Sequence, residues 1–132
     1  MPETPESRAA YVLDTSAILA YLLNEPAAAR VKSLHRQAAI PFIAISELYA
    51  ALWIRYGQAK ADAAAVAVRE WQLPTLWPSE EVVLLAGRWR ATYRLGLGDS
   101  YIAALTFMSQ SILVTKDADF LPLQSSLRLL FL

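Results

Sequence analysis

The chain has 132 residues, 56% of them hydrophobic, with no cysteine and with 12 basic against 12 acidic side chains. That length makes one domain with a proper core, since a chain of this size hides roughly two-thirds of the surface its unfolded form exposes. The missing cysteines exclude a disulfide framework and thiolate metal sites, and the longest apolar stretches, residues 38–45 and 82–87, fall far short of the ~20 residues of a membrane span.

Residues 1–7 (MPETPES) are polar and acidic and lack the apolar region of a secretory signal. The expectation is a cytoplasmic protein with a flexible tail at residues 1–10 and a single domain at residues 11–132. The high apolar fraction points to a protein–protein interface as well as a core.

In chain order, Tyr11-Val12-Leu13 reads as a short strand and Asp14-Thr15-Ser16 as a turn. A helix is predicted over 17–24, a break at Asn24-Glu25-Pro26, and a second helix running to 39. Residues 40–45 read as a strand, with Ser46 capping a helix over 47–56 that Gly57 ends. A further helix spans 58–71, and 73–77 is a candidate strand between prolines. Ser79 caps a helix over 80–95, in which Val82, Leu85, Ala86, Trp89 and Tyr93 form the core stripe. Gly96-Leu97-Gly98 is a turn, 99–110 a helix apolar nearly all round and so buried, 112–115 a strand, 116–120 a loop and 127–132 a terminal strand. Strands alternating with helices imply an α/β fold with a mostly parallel sheet.

In such sheets the site lies at the carboxyl ends of the strands. Asp14 closes the first strand, Ser46-Glu47 the second and Thr115-Lys116-Asp117 a later one, while Asp99 opens a buried helix. Four segments thus deliver carboxylates to one edge. Asp99 also reads as a helix cap. The lone histidine, His35, lies among polar residues and reads as surface. No serine–histidine or cysteine–histidine pair competes. Crowded carboxylates repel one another unless a cation compensates, and oxygen ligands alone select Mg²⁺ or Mn²⁺. The chemistry that follows is phosphodiester hydrolysis by metal-activated water. If Asp14, Glu47, Asp99, Asp117 and Asp119 share that site and Glu3 and Glu6 sit in the tail, five acids remain against the 12 basic residues. An acidic pocket in a basic surround suits a polyanion.

YVLDTSAIL, AISELYAAL, LGLGDSYIAAL and LVTKDADF resemble, in order and spacing, the successive acidic motifs of PIN domains, and of the VapC toxins of VapBC toxin–antitoxin modules in particular. The resemblance runs from Tyr11 to about Phe120. It implies a three-layer α/β/α sandwich, Mg²⁺- or Mn²⁺-dependent endoribonuclease activity on single strands, a homodimer, and neutralisation by a VapB-like antitoxin through which alone DNA is bound. It assigns Asp14, Glu47, Asp99 and Asp117 to the catalytic, metal-binding quartet, Asp119 to an accessory acidic position, and Thr15, Ser16 and Thr115 to supporting hydroxyls. Arg90, Arg94 and Lys116 are candidate RNA contacts, with a solvated surface as the competing reading. The four tryptophans read as core or dimer interface, and a groove around Leu22, Leu23, Tyr49 and Trp53 as the seat for an antitoxin segment.

Other readings fit less well. A receiver domain wants paired acids after its first strand, a haloacid-dehalogenase-type phosphatase wants a second Asp where Ser16 stands, and a dinucleotide fold wants a glycine-rich first turn. Within the resemblance, an RNA-processing nuclease outside a toxin–antitoxin pair and a catalytically silent interaction module are the alternatives.

Overall fold

Tyr11–Leu13 form the central strand, β1, of the sheet. In the computed structural model, which describes residues 9–132, β1 pairs in parallel with β2 (Ala38–Pro41) on one side and β4 (Ile112–Thr115) on the other. Beyond them lie β3 (Thr75–Leu76) and β5 (Leu129–Phe131), giving the order β3-β2-β1-β4-β5 with every pair parallel. Val12 sits opposite Ala39 and Leu113. Strands buried on both faces carry continuous apolar runs, and Val12, Leu13, Leu113 and Val114 are accordingly fully buried. With helices on both faces this is a three-layer α/β/α sandwich. The strand order reverses between β1 and β4, which opens a crevice at their carboxyl ends.

Six α-helices are described: α1 (Thr15–Leu22), α2 (Ala28–Leu34), α3 (Phe42–Tyr56), α4 (Gln58–Glu70), α5 (Glu80–Tyr93) and α6 (Leu97–Met108). α5 packs on α6, α3 on α4, and α1, α3 and α6 meet around the crevice. Ile18, Leu48, Leu52, Ile102, Phe120 and Leu123 fill the main core, each large side chain stabilising the fold by roughly 1.5–3 kcal/mol when buried. α5 contributes the expected stripe, with Val82, Ala86 and Trp89 buried and Leu85 and Tyr93 half-buried. Ser79 caps it through Val82 N, and Gly57 ends α3 at φ 90°.

Several boundaries differ from the sequence-based expectation. α1 begins at Thr15, because the Asp14 side chain accepts from Ala17 N and caps the helix there. The helix predicted to run to 39 ends at Leu34, followed by a 3-10 turn over His35–Gln37 and then β2. The largest difference is at 40–45, where the chain leaves β2 at Pro41 and is helical from Phe42. The β-branched Ile43 and Ile45 favour a strand locally, but Ala44, Leu48 and Leu52 recur four apart and are buried together, so packing decides for the helix. Ser46 is therefore an exposed residue inside α3 and caps nothing. The 116–120 loop contains the start of a 3-10 turn, Ala118–Leu123.

Of the tail expected at 1–10, residues 1–8 lie outside the described residues. Ala9 O accepts from Ser111 Oγ, and Ala10 N donates to Gln37 O. His35 is half-buried beside the Tyr21 and Trp71 rings. The tryptophans divide: Trp89 is buried and Trp71 half-buried, whereas Trp53 and Trp77 are 44% and 72% exposed.

Candidate functional site

Asp14 leaves the carboxyl end of β1 and is 3% exposed. Its Oδ1 accepts from Ser16 Oγ at 2.6 Å and Ala17 N at 2.9 Å, and its Oδ2 from Thr115 Oγ1 at 2.5 Å. Those hydroxyls are themselves held by β4's exit: Lys116 N donates to Ser16 Oγ at 2.9 Å and Asp117 N to Thr115 Oγ1 at 2.9 Å. Two backbone N–H groups are thus relayed through two hydroxyls onto one carboxylate, fixing its orientation. Burial pushes the Asp14 carboxyl above its usual value, while the hydrogen bonds from Ser16, Thr115 and Ala17 oppose that rise.

Glu47 approaches from α3, not from a strand end. Its Oε1 accepts from Thr15 Oγ1 at 2.8 Å, so the residue after Asp14 orients a second acid. On its other side the Glu47 carboxylate lies against Gly98 in the first turn of α6, where a side chain would overlap it.

Asp99 is the third residue of α6 and caps nothing; the N-cap is Gly96, with no side-chain bond. Its carboxyl is half-buried and is pushed up to about 6, first by desolvation and then by the charges of Asp117, Glu47, Asp14 and Asp119. The other four acids therefore all stand close enough to act on Asp99. Asp117 caps the 3-10 turn by accepting from Asp119 N at 2.8 Å, and that turn swings Asp119 in beside it. Carboxylate oxygens of Asp99, Asp117 and Asp119 lie within 4.8 Å of one another.

That donor set fits a hard divalent cation. Three carboxylate oxygens are close to the ~4 Å that opposite ligands span around one Mg²⁺, no thiol or imidazole joins them, and the raised Asp99 carboxyl marks negative charge in want of a counter-ion. The trio includes Asp119, the expected accessory position, and does not include Asp14 or Glu47.

A family model described as the PIN domain matches residues 11–123. The chain belongs to the PIN domain family. No curated protein sequence matches it. Among solved structures the PIN fold here is similar to VapBC-1 from nontypeable Haemophilus influenzae, with a TM-score of 0.71, 24% identity, and 92% of this chain and 96% of that one covered. DNA-bound VapBC from Salmonella typhimurium gives a TM-score of 0.76 at 19% identity, covering 92% and 96%. VapC20 from Mycobacterium tuberculosis, a toxin that cleaves the sarcin–ricin loop, gives 0.67 at 17% identity, covering 85% and 93%.

The cationic candidates on this PIN domain separate. Arg90 Nη1 donates to Leu95 O at 3.2 Å and so braces the end of α5. Lys116 Nζ pairs with Glu25 at 2.5 Å. Arg94 is exposed at the C-cap of α5, in the left-handed conformation at φ 56°. Sequence reasoning missed Gly98, which it read only as part of a turn; its one signal was the small residue immediately before Asp99.

Proposed function

We propose that this protein is a Mg²⁺- or Mn²⁺-dependent endoribonuclease acting on single-stranded RNA, and the toxin of a toxin–antitoxin pair. The observation that carries the nuclease reading is the convergence of Asp14, Glu47, Asp99, Asp117 and Asp119 on one crevice with the Asp99 carboxyl pushed up to about 6. The toxin reading draws its support from the VapBC complexes among the similar folds.

When bound, a divalent cation supplies charge compensation, Lewis acidity toward a phosphoryl oxygen, and acidification of water. Asp99, Asp117 and Asp119 would hold it. Asp14, locked by Ser16, Thr115 and Ala17, keeps an acceptor aimed from the crevice floor. Glu47, oriented by Thr15 and outside the carboxylate trio, is the acid left to take a proton from attacking water. No nucleophilic side chain is needed, and hydrolysis by water leaves no covalent enzyme intermediate.

Two apolar areas fit the expected partners. Leu22 and Leu23 are half-buried, and the Tyr49 and Trp53 rings meet edge-on at 5.7 Å next to the 83% exposed Ile54. This face suits the amphipathic segment of a VapB-like antitoxin. Trp77, Val83 and Leu84, at and just before the first turns of α5, are exposed as well and are assigned to the homodimer. A short reading frame upstream with a DNA-binding N-terminus would favour the toxin over a nuclease outside such a pair.

The test is purified protein on labelled RNA. Cleavage that disappears in EDTA, returns with Mn²⁺, and is absent from Asp99→Asn supports the reading. Undiminished cleavage in EDTA overturns it.

A further inference from the structure

Between the C-terminal turn of α5 and the 3-10 turn after β4 lies a cleft of about 330 Å³. Tyr93, Leu95 and Pro122 give it apolar walls, Arg94 a cation, and Asp119 its inner edge. We propose that this cleft holds one nucleotide of the RNA strand beside the scissile bond, its phosphate on Arg94 and its base against Tyr93 and Pro122. The proposal rests on the nuclease reading above.

Three observations converge on it. The first is continuity: Asp119 belongs both to the carboxylate trio and to the cleft wall, so a strand whose phosphodiester lies at the trio has the cleft as its next recess. The second is charge. Arg90 is committed to Leu95 O and Lys116 to Glu25, whereas Arg94 makes no hydrogen bond or ion pair among the described residues. It lines the same cleft as Asp119 without pairing with it. A guanidinium left unpaired in a cleft with one carboxylate at its edge is matched to an incoming phosphate, which it can bind in bidentate fashion.

The third is placement. Arg94 sits at a left-handed C-cap, between the end of α5 and the buried Leu95. Gly96, two residues on, is the N-cap of α6, the helix that carries Asp99. The backbone that positions Arg94 is therefore tied directly to the backbone that positions Asp99. Apolar walls with a single cation match the amphipathic character of a nucleotide, a flat base joined to an anion.

The experiment measures binding of a fluorescent single-stranded RNA dodecamer in EDTA, where nothing turns over, across a range of salt. Wild type is compared with Arg94→Gln, Arg94→Lys, and Arg69→Gln as a control on α4, outside the cleft. Arg94→Gln should weaken binding roughly tenfold and flatten the slope of log K against log salt by about 0.7, the share of one phosphate contact on a single strand. Arg94→Lys should restore most of the slope, and Arg69→Gln should leave affinity within about twofold. Under Mn²⁺ the Arg94→Gln loss should appear in KM more than in kcat. An RNA that binds Arg94→Gln with wild-type affinity and slope, or fails to bind wild type, overturns the cleft. Absence of cleavage by wild type in Mn²⁺, with the binding difference intact, overturns the nuclease reading and leaves the cleft standing.

Discussion

A Cβ placed on Gly98 would lie 2.3 Å from Oε2 and 2.9 Å from Cδ of Glu47. Fifty-one positions apart in the chain, the two residues share one volume, and the carboxylate occupies it only because residue 98 has no side chain. The group in the way is the end of a flexible side chain, so Gly98→Ala should move the carboxylate and spare the fold. Alanine is in fact favoured over glycine inside a helix by about 1 kcal/mol. The expected outcome is a melting temperature unchanged or slightly raised, with RNA cleavage reduced at least tenfold on the scale of one misplaced acid–base group. Wild-type turnover in Gly98→Ala would show that Glu47 need not occupy this position.

Asp14→Asn and Asp99→Asn should each abolish RNA cleavage and growth toxicity while the protein folds. Asn at 14 retains an acceptor for Ala17 N, the capping bond of α1. Circular dichroism establishes the fold, and gel assays of RNA read the activity. Full toxicity in folded Asp99→Asn would remove Asp99 from the site.

The raised carboxyl of Asp99 has a definite sign for stability. A group whose pKa moves from 3.8 to about 6 on folding binds its proton more tightly in the native state. The metal-free protein should therefore lose stability as pH rises from about 4 to about 6 and change little above that on this account. Asp99→Asn should flatten the dependence and raise metal-free stability at pH 7.5 by about 1 kcal/mol, after allowance for the residue's partial exposure. Thermal melts in EDTA at several pH values measure both.

Mn²⁺ or Mg²⁺ should raise the melting temperature of the wild type, since it binds the native cluster preferentially, and should do so less at pH 5 than at pH 7.5, where proton and metal no longer compete. Equal stabilisation of wild type and an Asp99→Asn, Asp117→Asn double variant would place the cation elsewhere.

Thr115→Val removes the hydroxyl between Asp117 N and Asp14 Oδ2. One buried acceptor and one backbone donor are left without partners, at a cost of about 1–3 kcal/mol, and the Asp14 carboxyl should rise further. Thr115→Ser, which keeps the hydroxyl, should recover most of the stability and activity in urea melts and cleavage assays.

How far the site could be read from the chain depended on which element carries each acid. Asp14 and Asp117 were legible because short apolar runs ending in an acid mark the exits of buried parallel strands, and Asp99 because an apolar helix follows a glycine turn. Glu47 was legible as a member of the set but was assigned to a strand's end, since Ile43 and Ile45 carry β propensity that only the packing of Ala44, Leu48 and Leu52 overrules. Asp119 stands in the sequence only as the accessory position that the resemblance implies, and its approach to Asp99 depends on a 3-10 turn, whose short length leaves no periodic trace. Gly98 was beyond sequence reasoning, for what forbids a side chain there comes from α3. The fold itself was easier to read than its boundaries: the alternation of strands and helices implied a mostly parallel sheet, and the described pairs are parallel throughout.

The bond between Thr115 and Asp14 joins residues 101 positions apart, and β4, which supplies Thr115, lies beside β1, the first strand in the chain. Chains emerge from the ribosome N-terminus first and fold as they lengthen, so β1 has no β4 neighbour, and Asp14 no hydroxyl from Thr115, until residues 112–117 have been made. Closure of so long a loop also slows folding. A nascent chain, or one truncated ahead of β4, carries at most Asp14, Glu47 and Asp99, without Asp117, Asp119 or the hydroxyl that fixes Asp14. If this protein cuts RNA, synthesis itself keeps the blade sheathed, and a partner translated alongside has until the end of elongation to arrive.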